Sequence, residues 1–387
     1  MEALFTPFRL GPLTLRNRSL RAAAFEGLCP GHLVSDALIA HHRAYAAGGV
    51  GMTTVAYAAV QRSGLSFAHQ LWLRPQAVPG LRRLTDAVHA EGAACSIQLG
   101  HAGDMASHAL AGARPLAPGA RPNLYGPSWP RAMRSADIAA TVRAFADSVR
   151  LAAEAGFDAI ELHAGHGYLI GQFLSPWTNR RRDAYGGDLV GRMRFMDEVL
   201  DAVLHAARGR LAVLVKVNMS DGFRGGMEQA DALQVARRLE AAGADALVLS
   251  GGFVSRAPMA ILRGAMPVRT LAAGMRHPLM RLFARAFAGH LIPPVPFTEN
   301  YFLDQARAFR RALRLPLVYV GGLRSAQGVA QVLAEGFELV AFARALLEDP
   351  GFVQRLHGPV RSACDTCNHC VAVMYNGPVV CIRHPHR

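Results

Sequence analysis

Eight short apolar runs, each followed by a stretch with helical spacing, constrain this chain more than any other feature. They are Leu20 to Phe25, Val50 to Tyr57, Ala93 to Leu99, Phe157 to His163, Leu211 to Val217, Ala244 to Ser250, Leu315 to Val320 and Glu338 to Phe342. Eight strands alternating with helices predict an α/β fold, a closed (β/α)8 TIM barrel. The segments Ile138 to Ala155, Arg192 to Ala207 and Gln229 to Ala242 supply amphipathic helices between them, each closing on Gly or Arg. A length of 387 residues suits one such barrel with insertions. With 51% hydrophobic and 18% charged residues, the composition excludes a disordered chain.

Two segments fall outside the repeat. The stretch between the sixth and seventh strands, 251–301, is too long for a simple connection, and from Leu271 to Leu291 it interleaves Met, Phe and Arg before Pro293-Pro294. It leaves the C-terminal end of a strand, so a lid or pocket wall is expected. The competing reading is an amphipathic membrane-surface helix with Arg276, Arg281 and Arg285 on its polar side. The second segment, 361–387, is rich in cysteine. The expected organisation is therefore a barrel over 1–360 and a short Cys-rich extension.

Forty-two basic against twenty-eight acidic residues give a net charge of +14. The arginines are scattered along the whole chain, which favours a generally basic surface over a nucleic-acid site. Neither a nucleic-acid partner nor stable membrane insertion is expected. The start, Met1-Glu2-Ala3-Leu4-Phe5-Thr6-Pro7, lacks a basic region followed by a long apolar stretch, and a cytoplasmic location is expected. Of the six cysteines, Cys29 and Cys95 read as small buried residues, while Cys364, Cys367, Cys370 and Cys381 crowd into the C-terminal segment. Four clustered thiols in such a chain favour a metal site over disulfides.

In a parallel barrel, the residues just past the strands' C-terminal ends form the catalytic face. Here they are Phe25 and Glu26, Gln98 and His101, His163 and His166, Lys216 and Asn218, Ser250 to Gly252, Gly321 and Gly322, and Arg344. The densest chemistry is His163-Ala164-Gly165-His166-Gly167-Tyr168, where two imidazoles and a phenol follow one strand. Lys216, inside an apolar Leu-Val-Lys-Val context, reads either as an interior lysine in an ion pair or, since a buried unpaired ammonium is costly, as the partner of a bound group that carries charge, and the second is favoured.

These segments resemble the Old Yellow Enzyme family of FMN-dependent oxidoreductases over essentially the whole chain. The resemblance rests on Leu4-Phe5-Thr6-Pro7 with Leu15-Arg16-Asn17-Arg18, on Gln98-Leu99-Gly100-His101-Ala102-Gly103, and above all on the run from His163 to Ile170. That run continues through Gln172 to Pro176, Asn179 to Asp183 and Tyr185-Gly186-Gly187. It implies FMN and NAD(P)H, with Gln98 on the flavin's pyrimidine edge and Lys216 beside its N1. Gly321, Gly322, Ala343 and Arg344 would hold the phosphate. His163 and His166 would bind the carbonyl oxygen of an α,β-unsaturated carbonyl substrate, and Tyr168 would donate the proton. The implied reaction is ping-pong: NAD(P)H reduces the flavin, and the flavin reduces an activated C=C bond.

Two departures from the family stand out. Where many members carry Pro followed by Thr or Cys against the flavin, this chain reads Ala22-Ala23-Ala24-Phe25-Glu26. Ala23, Ala24 and Phe25 would therefore line that face without a hydroxyl or thiol. The spacing Cys364-x2-Cys367-x2-Cys370-x10-Cys381 is similar to the [4Fe–4S] segment of the dienoyl-CoA reductase and trimethylamine dehydrogenase branch, whose second gap is usually three residues. A cluster, a four-thiolate zinc site and free thiols all remain open, as do an electron-donor reductase partner and a homo-oligomer.

Overall fold

The computed structural model describes residues 1–123, 128–273, 278, 281–282, 285–286, 292–374 and 377–384. Eight parallel strands close a barrel: β1 (Ser19–Arg21), β2 (Met52–Ala59), β3 (Ala94–Gly100), β4 (Ala159–Ala164), β5 (Ala212–Asn218), β6 (Ala246–Ser250), β7 (Leu317–Tyr319) and β8 (Leu339–Phe342). The ring runs in chain order and closes where Val340, Ala341 and Phe342 pair with Ser19, Leu20 and Arg21. Every expected strand is present. The first is shorter than the apolar run from Leu20 to Phe25. Its pairing stops at Arg21, whose guanidinium turns back to Ala24 O and the Glu26 carboxylate, so Ala23, Ala24 and Phe25 form a loop at the barrel mouth.

The strands alternate between two apolar environments. One set, including Leu20, Met52, Ala159, Leu214, Val248, Val318 and Leu339, points into the barrel, where Leu10 and Leu15 of the N-terminal hairpin join them. The other set, including Val55, Ile97, Ile160, Val215, Leu247 and Phe342, meets the helices. Those helices include α1 (Asp36–Ala47), α2 (Val78–Ala90), α3 (Ser135–Glu154), α4 (Leu189–Ala207), α5 (Gln229–Ala242), α6 (Leu303–Ala312) and α7 (Ala326–Ala334). Phe145 and Val149 of α3, Phe195 and Val199 of α4, and Phe309 of α6 are fully buried there. Among the described residues no helix is long and apolar enough to cross a membrane.

The described part of the 251–301 segment holds two short helices, Pro258–Leu262 and Val268–Ala273. It lies against the C-terminal extension: Asn368 Nδ2 donates to Arg263 O at 2.7 Å and to Ala265 O, and Thr270 Oγ1 meets His369 Nδ1 at 2.9 Å. Arg276, expected on a polar helix face, falls outside the described residues. A buried carboxylate seats the start of the extension on the barrel. Glu348 Oε2 accepts from Ser362 Oγ at 2.8 Å and from the Ala363 N–H at 3.1 Å. Replacing Glu348 with Ala leaves the buried Ser362 hydroxyl without its acceptor and should cost about 1–3 kcal/mol. Urea unfolding together with limited proteolysis checks this: the midpoint should drop and the first cut should move into 361–387. An unchanged midpoint and cleavage pattern would show that the extension is held elsewhere.

Candidate active site at the barrel mouth

The register β3–β4–β5 brings three expected residues together. Gln98, Glu161 and His163 and then Lys216 point into the barrel from neighbouring strands, since alternate residues share a face. The Lys216 ammonium and the Glu161 carboxylate form an ion pair at 2.9 Å, both 3% exposed. Gln98 Nε2 donates to the same Glu161 Oε1 at 2.5 Å, and Lys216 Nζ also reaches Ala23 O at 3.4 Å. The charge partner of Lys216 is therefore present within the protein, as the interior ion pair. Glu161 was missed in the sequence, although its place two residues before His163 in a strand put it on the same face.

The turn after β4 carries the two imidazoles. His163 is the last but one residue of the strand, and its Nδ1 is buried without a hydrogen-bond partner. His166 adopts φ 58°, a left-handed conformation uncommon outside glycine, and three contacts hold it there. Its N–H donates to Asn218 Oδ1 at 2.9 Å, its Nε2 meets Ser250 Oγ at 2.7 Å, and its carbonyl accepts from the Val254 N–H. The glycines on either side are required by close approach. A Cβ on Gly165 would lie 2.7 Å from Asn218 Oδ1, and one on Gly167 would lie 2.4 Å from the Phe253 ring. Tyr168 follows, its ring centroid 4.4 Å from that of His163 and 5.0 Å from that of Tyr57. The Tyr57 hydroxyl bonds Ser66 Oγ at 2.6 Å, and burial pushes its pKa up to about 12.

Burial, reinforced by the charge of Lys216, lowers His166 to about 3, and burial with His166 and Lys216 also holds His163 well below its ordinary value. Both rings are therefore neutral near pH 7, each offering one N–H donor. Two residues expected on this face are instead absorbed by the framework. His101 accepts from the Gly103 N–H through Nδ1 and meets Ser63 Oγ through Nε2. Glu26 faces away from the mouth, between Arg21 at 2.8 Å, the Ala56 N–H and His42.

Around Gly321 and Gly322, after β7, two guanidiniums converge. Arg324 lies 4.7 Å over the Phe297 ring and Arg263 lies 4.6 Å over the Tyr301 ring, and the Nε of each is buried with no partner. Gly322, at φ 79°, would drive a Cβ to 2.7 Å from Tyr301. Arg324 and Arg263 were not anticipated. A bare-backbone turn with orphaned cationic donors suits a phosphate, and Gln98 with Lys216 suits the polar edge of a ring system, so the residues fit FMN. Ala343 and Arg344 follow β8, and the Arg344 guanidinium lies against Tyr301 at the glycine turn, donates to Asn368 Oδ1 at 2.8 Å and also lines a cavity of the extension. Cys364, Cys367, Cys370 and Cys381 share that cavity with it. All four thiols are free and half-buried, and burial raises Cys370 to about 11. Among the described residues no three His, Cys, Asp or Glu side chains are drawn together tightly enough to hold a metal ion.

The model of the NADH:flavin oxidoreductase / NADH oxidase family matches residues 3–277. The chain is 42% identical, over 98% of its length and 95% of the relative's, to 4,4'-dithiodibutanoate disulfide reductase of Rhodococcus erythropolis. It is 31% identical over 99% of its length to a metal reductase of Desulforamulus reducens, of which it spans about half, 53%. The fold superposes on the 2-naphthoyl-CoA reductase complex with a TM-score of 0.85 at 23% identity, covering 99% of this chain and 57% of that one.

The depressed imidazoles make stability depend on pH. Unfolded histidines take up protons near pH 6.5 that His101, His163 and His166 refuse in the fold, so their contribution is complete above that pH and is lost as pH falls toward 3. His41 and His42, lowered by burial, act in the same sense. Asp104 and Glu26, both raised to about 7 by burial, act oppositely across the acid range, as do the smaller upward shifts of Asp221, Asp245 and His89, but most of the large shifts belong to the five lowered imidazoles. The melting temperature should therefore fall between pH 7 and pH 5; a value that holds or rises would contradict the neutral assignment of the site histidines.

Proposed function

Because the chain belongs to the NADH:flavin oxidoreductase / NADH oxidase family, of Old Yellow Enzyme type, and is an FMN-dependent NAD(P)H oxidoreductase, we propose that it reduces the activated C=C bond of α,β-unsaturated carbonyl compounds. The observation that carries this reading is the neutral His163–His166 pair, with a buried and unpartnered His163 Nδ1 beside the Tyr168 ring. FMN, when bound, supplies the hydride that passes from NAD(P)H to the acceptor. Gln98 and Lys216 would hold its ring, Ala23, Ala24 and Phe25 would line one side of it, and Gly321, Gly322 and Arg324 would hold its phosphate, with Ala343 and Arg344 at the far end of that region.

The protein's own groups then divide the work. His163 and His166 donate to the substrate's carbonyl oxygen and stabilise the negative charge that builds there as the β carbon is reduced. Neutral donors suit this role, because an imidazolium would lose its proton to the oxygen rather than share it. Ser250 and Asn218 fix the His166 ring and backbone, and so aim its free nitrogen. Tyr168 delivers the proton to the α carbon. The 42% relative is named for reducing a disulfide, and the same hydride source could serve such an acceptor, but paired donors for one oxygen favour the enone.

A second reading concerns the extension. The spacing of the four thiols, which resembles the cluster segment of the dienoyl-CoA reductase branch, and their place around one cavity favour a [4Fe–4S] cluster over zinc, with a partner reductase as an electron source. The thiols would have to turn inward to ligate it.

Three measurements test these readings. In His163→Ala/His166→Ala, phenol charge-transfer binding should fall at least a hundredfold while FMN stays bound, and retained phenol affinity would remove the pair from substrate binding. Tyr168→Phe should slow the oxidative half-reaction by about two orders of magnitude, in line with general acid catalysis, and spare reduction by NAD(P)H. An equal loss in both halves would make the tyrosine structural. Flavin, iron and zinc quantified in anaerobically purified protein should show flavin with iron. Flavin with neither metal would end the second reading and leave the first intact.

A further inference from the structure

Four loops that leave the C-terminal ends of strands meet in a cationic and aromatic rim that the proposed chemistry does not use. Arg121 lies between β3 and β4, Trp177 follows β4, Phe223 follows β5 and Arg256 follows β6. The Arg121 guanidinium carbon sits 5.0 Å from the Trp177 ring centroid, and that of Arg256 sits 4.9 Å from it. Arg256 also lies 5.9 Å from the Phe223 ring. Trp177 and Phe223 meet edge to face at 5.7 Å.

The rim is continuous with the histidine turn. Phe223 packs edge to face on Phe253 at 5.6 Å, and Phe253 is bridged to His166 and lies against Gly167. An aromatic wall thus leads from the imidazole pair to the two guanidiniums.

Their charge is uncompensated among the described residues. Some arginines on the outer helices, such as Arg83, Arg150, Arg238 and Arg307, are paired with carboxylates, and others, such as Arg143 and Arg237, are not. Arg121 and Arg256 are paired with none. Arg121 is steadied by donating to Trp177 O at 3.2 Å. Stacking holds a guanidinium plane while leaving its edge donors free, the arrangement that suits bidentate capture of an oxyanion.

We propose that this rim binds the anionic end of the substrate, so that the acceptors of this enzyme carry a carboxylate or phosphate at some remove from the reducible bond. The inference rests on the substrate being held by His163 and His166. The aromatic wall favours an apolar spacer between the two ends. The charge itself sets the selectivity between an acid and its neutral ester.

The test uses the FMN-loaded protein and three phenols of one scaffold: 4-(4-hydroxyphenyl)butanoate, its methyl ester, and 3-(4-hydroxyphenyl)propyl phosphate. Calorimetry reports binding, and the long-wavelength charge-transfer band reports a phenol at the flavin. The wild-type protein should prefer the acid over the ester by about tenfold, consistent with one charge-assisted contact. That ratio should collapse toward one in Arg256→Gln, recover in part in Arg256→Lys, and shrink with added salt. A preference for the phosphate over the acid, lost in the same variant, would identify a phosphorylated substrate through the same rim. Equal binding of acid and ester by the wild-type protein, or a ratio that Arg256→Gln leaves unchanged, would overturn the proposal. Arg256-dependent calorimetric binding without a charge-transfer band would uphold the rim and instead sink the assignment of His163 and His166.

Discussion

The mouth of this barrel depends on one buried ion pair, Lys216 with Glu161. An ammonium in the centre of an apolar barrel is tolerated only with a carboxylate against it, and removing one partner of such a pair costs about 3–5 kcal/mol. The pair does more than neutralise itself. Glu161 also accepts from Gln98, so one carboxylate aligns side chains from β3 and β5, and Lys216 extends to Ala23 O in the loop after β1. Three strand ends are thereby held in one layer beneath the site. The residual positive field of Lys216 also helps to keep His163 and His166 neutral, which is the protonation state their proposed work requires.

The histidine turn shows why its motif has to be so glycine-rich. His166 is held in a left-handed conformation, a strain of about 1–3 kcal/mol for a non-glycine residue. What holds it are contacts from two later strands, Asn218 at the end of β5 and Ser250 at the end of β6. Gly165 and Gly167 leave room for Asn218 and Phe253 to come that close. Local sequence permits the turn, and distant residues impose it.

That division explains what was legible in the chain. The eight strands could be read because parallel barrel strands, buried on both sides, are continuous apolar runs; their ends could not always be, since the run Leu20 to Phe25 stays apolar after Arg21 turns the chain. His163, His166, Tyr168, Gln98 and Lys216 were marked by chemistry unusual in such runs. Glu161 was hidden because one acidic residue inside a strand looks like a break in the pattern until its partner across the sheet is known. His101 and Glu26 looked like site residues by position, and only the contacts with Ser63, Gly103, Arg21 and Ala56 show them serving the framework. Arg263 was invisible because it reaches the Gly321–Gly322 turn from the loop after β6, and Arg324, two residues past the turn, looked like one more arginine of a basic chain.

The extension is the part whose meaning depends most on assembly. Its backbone touches the same loops that surround the cofactor region: the Val379 N–H donates to Glu26 O at 2.8 Å, Arg324 reaches Cys364 O, and Asn368 joins Arg344 to the backbone of Arg263 and Ala265. Glu26 directly follows Phe25, and Arg263 and Arg324 flank the glycine turn. A rearrangement of the extension would therefore act, through these hydrogen bonds, on the loop after β1 and on the residues beside the glycine turn. A Cys-rich tail attached by a flexible linker would have no such effect. Here the tail is bonded directly to the loops of the barrel mouth, through the Val379 N–H to Glu26 O and through Asn368 to the backbone of Arg263 and Ala265.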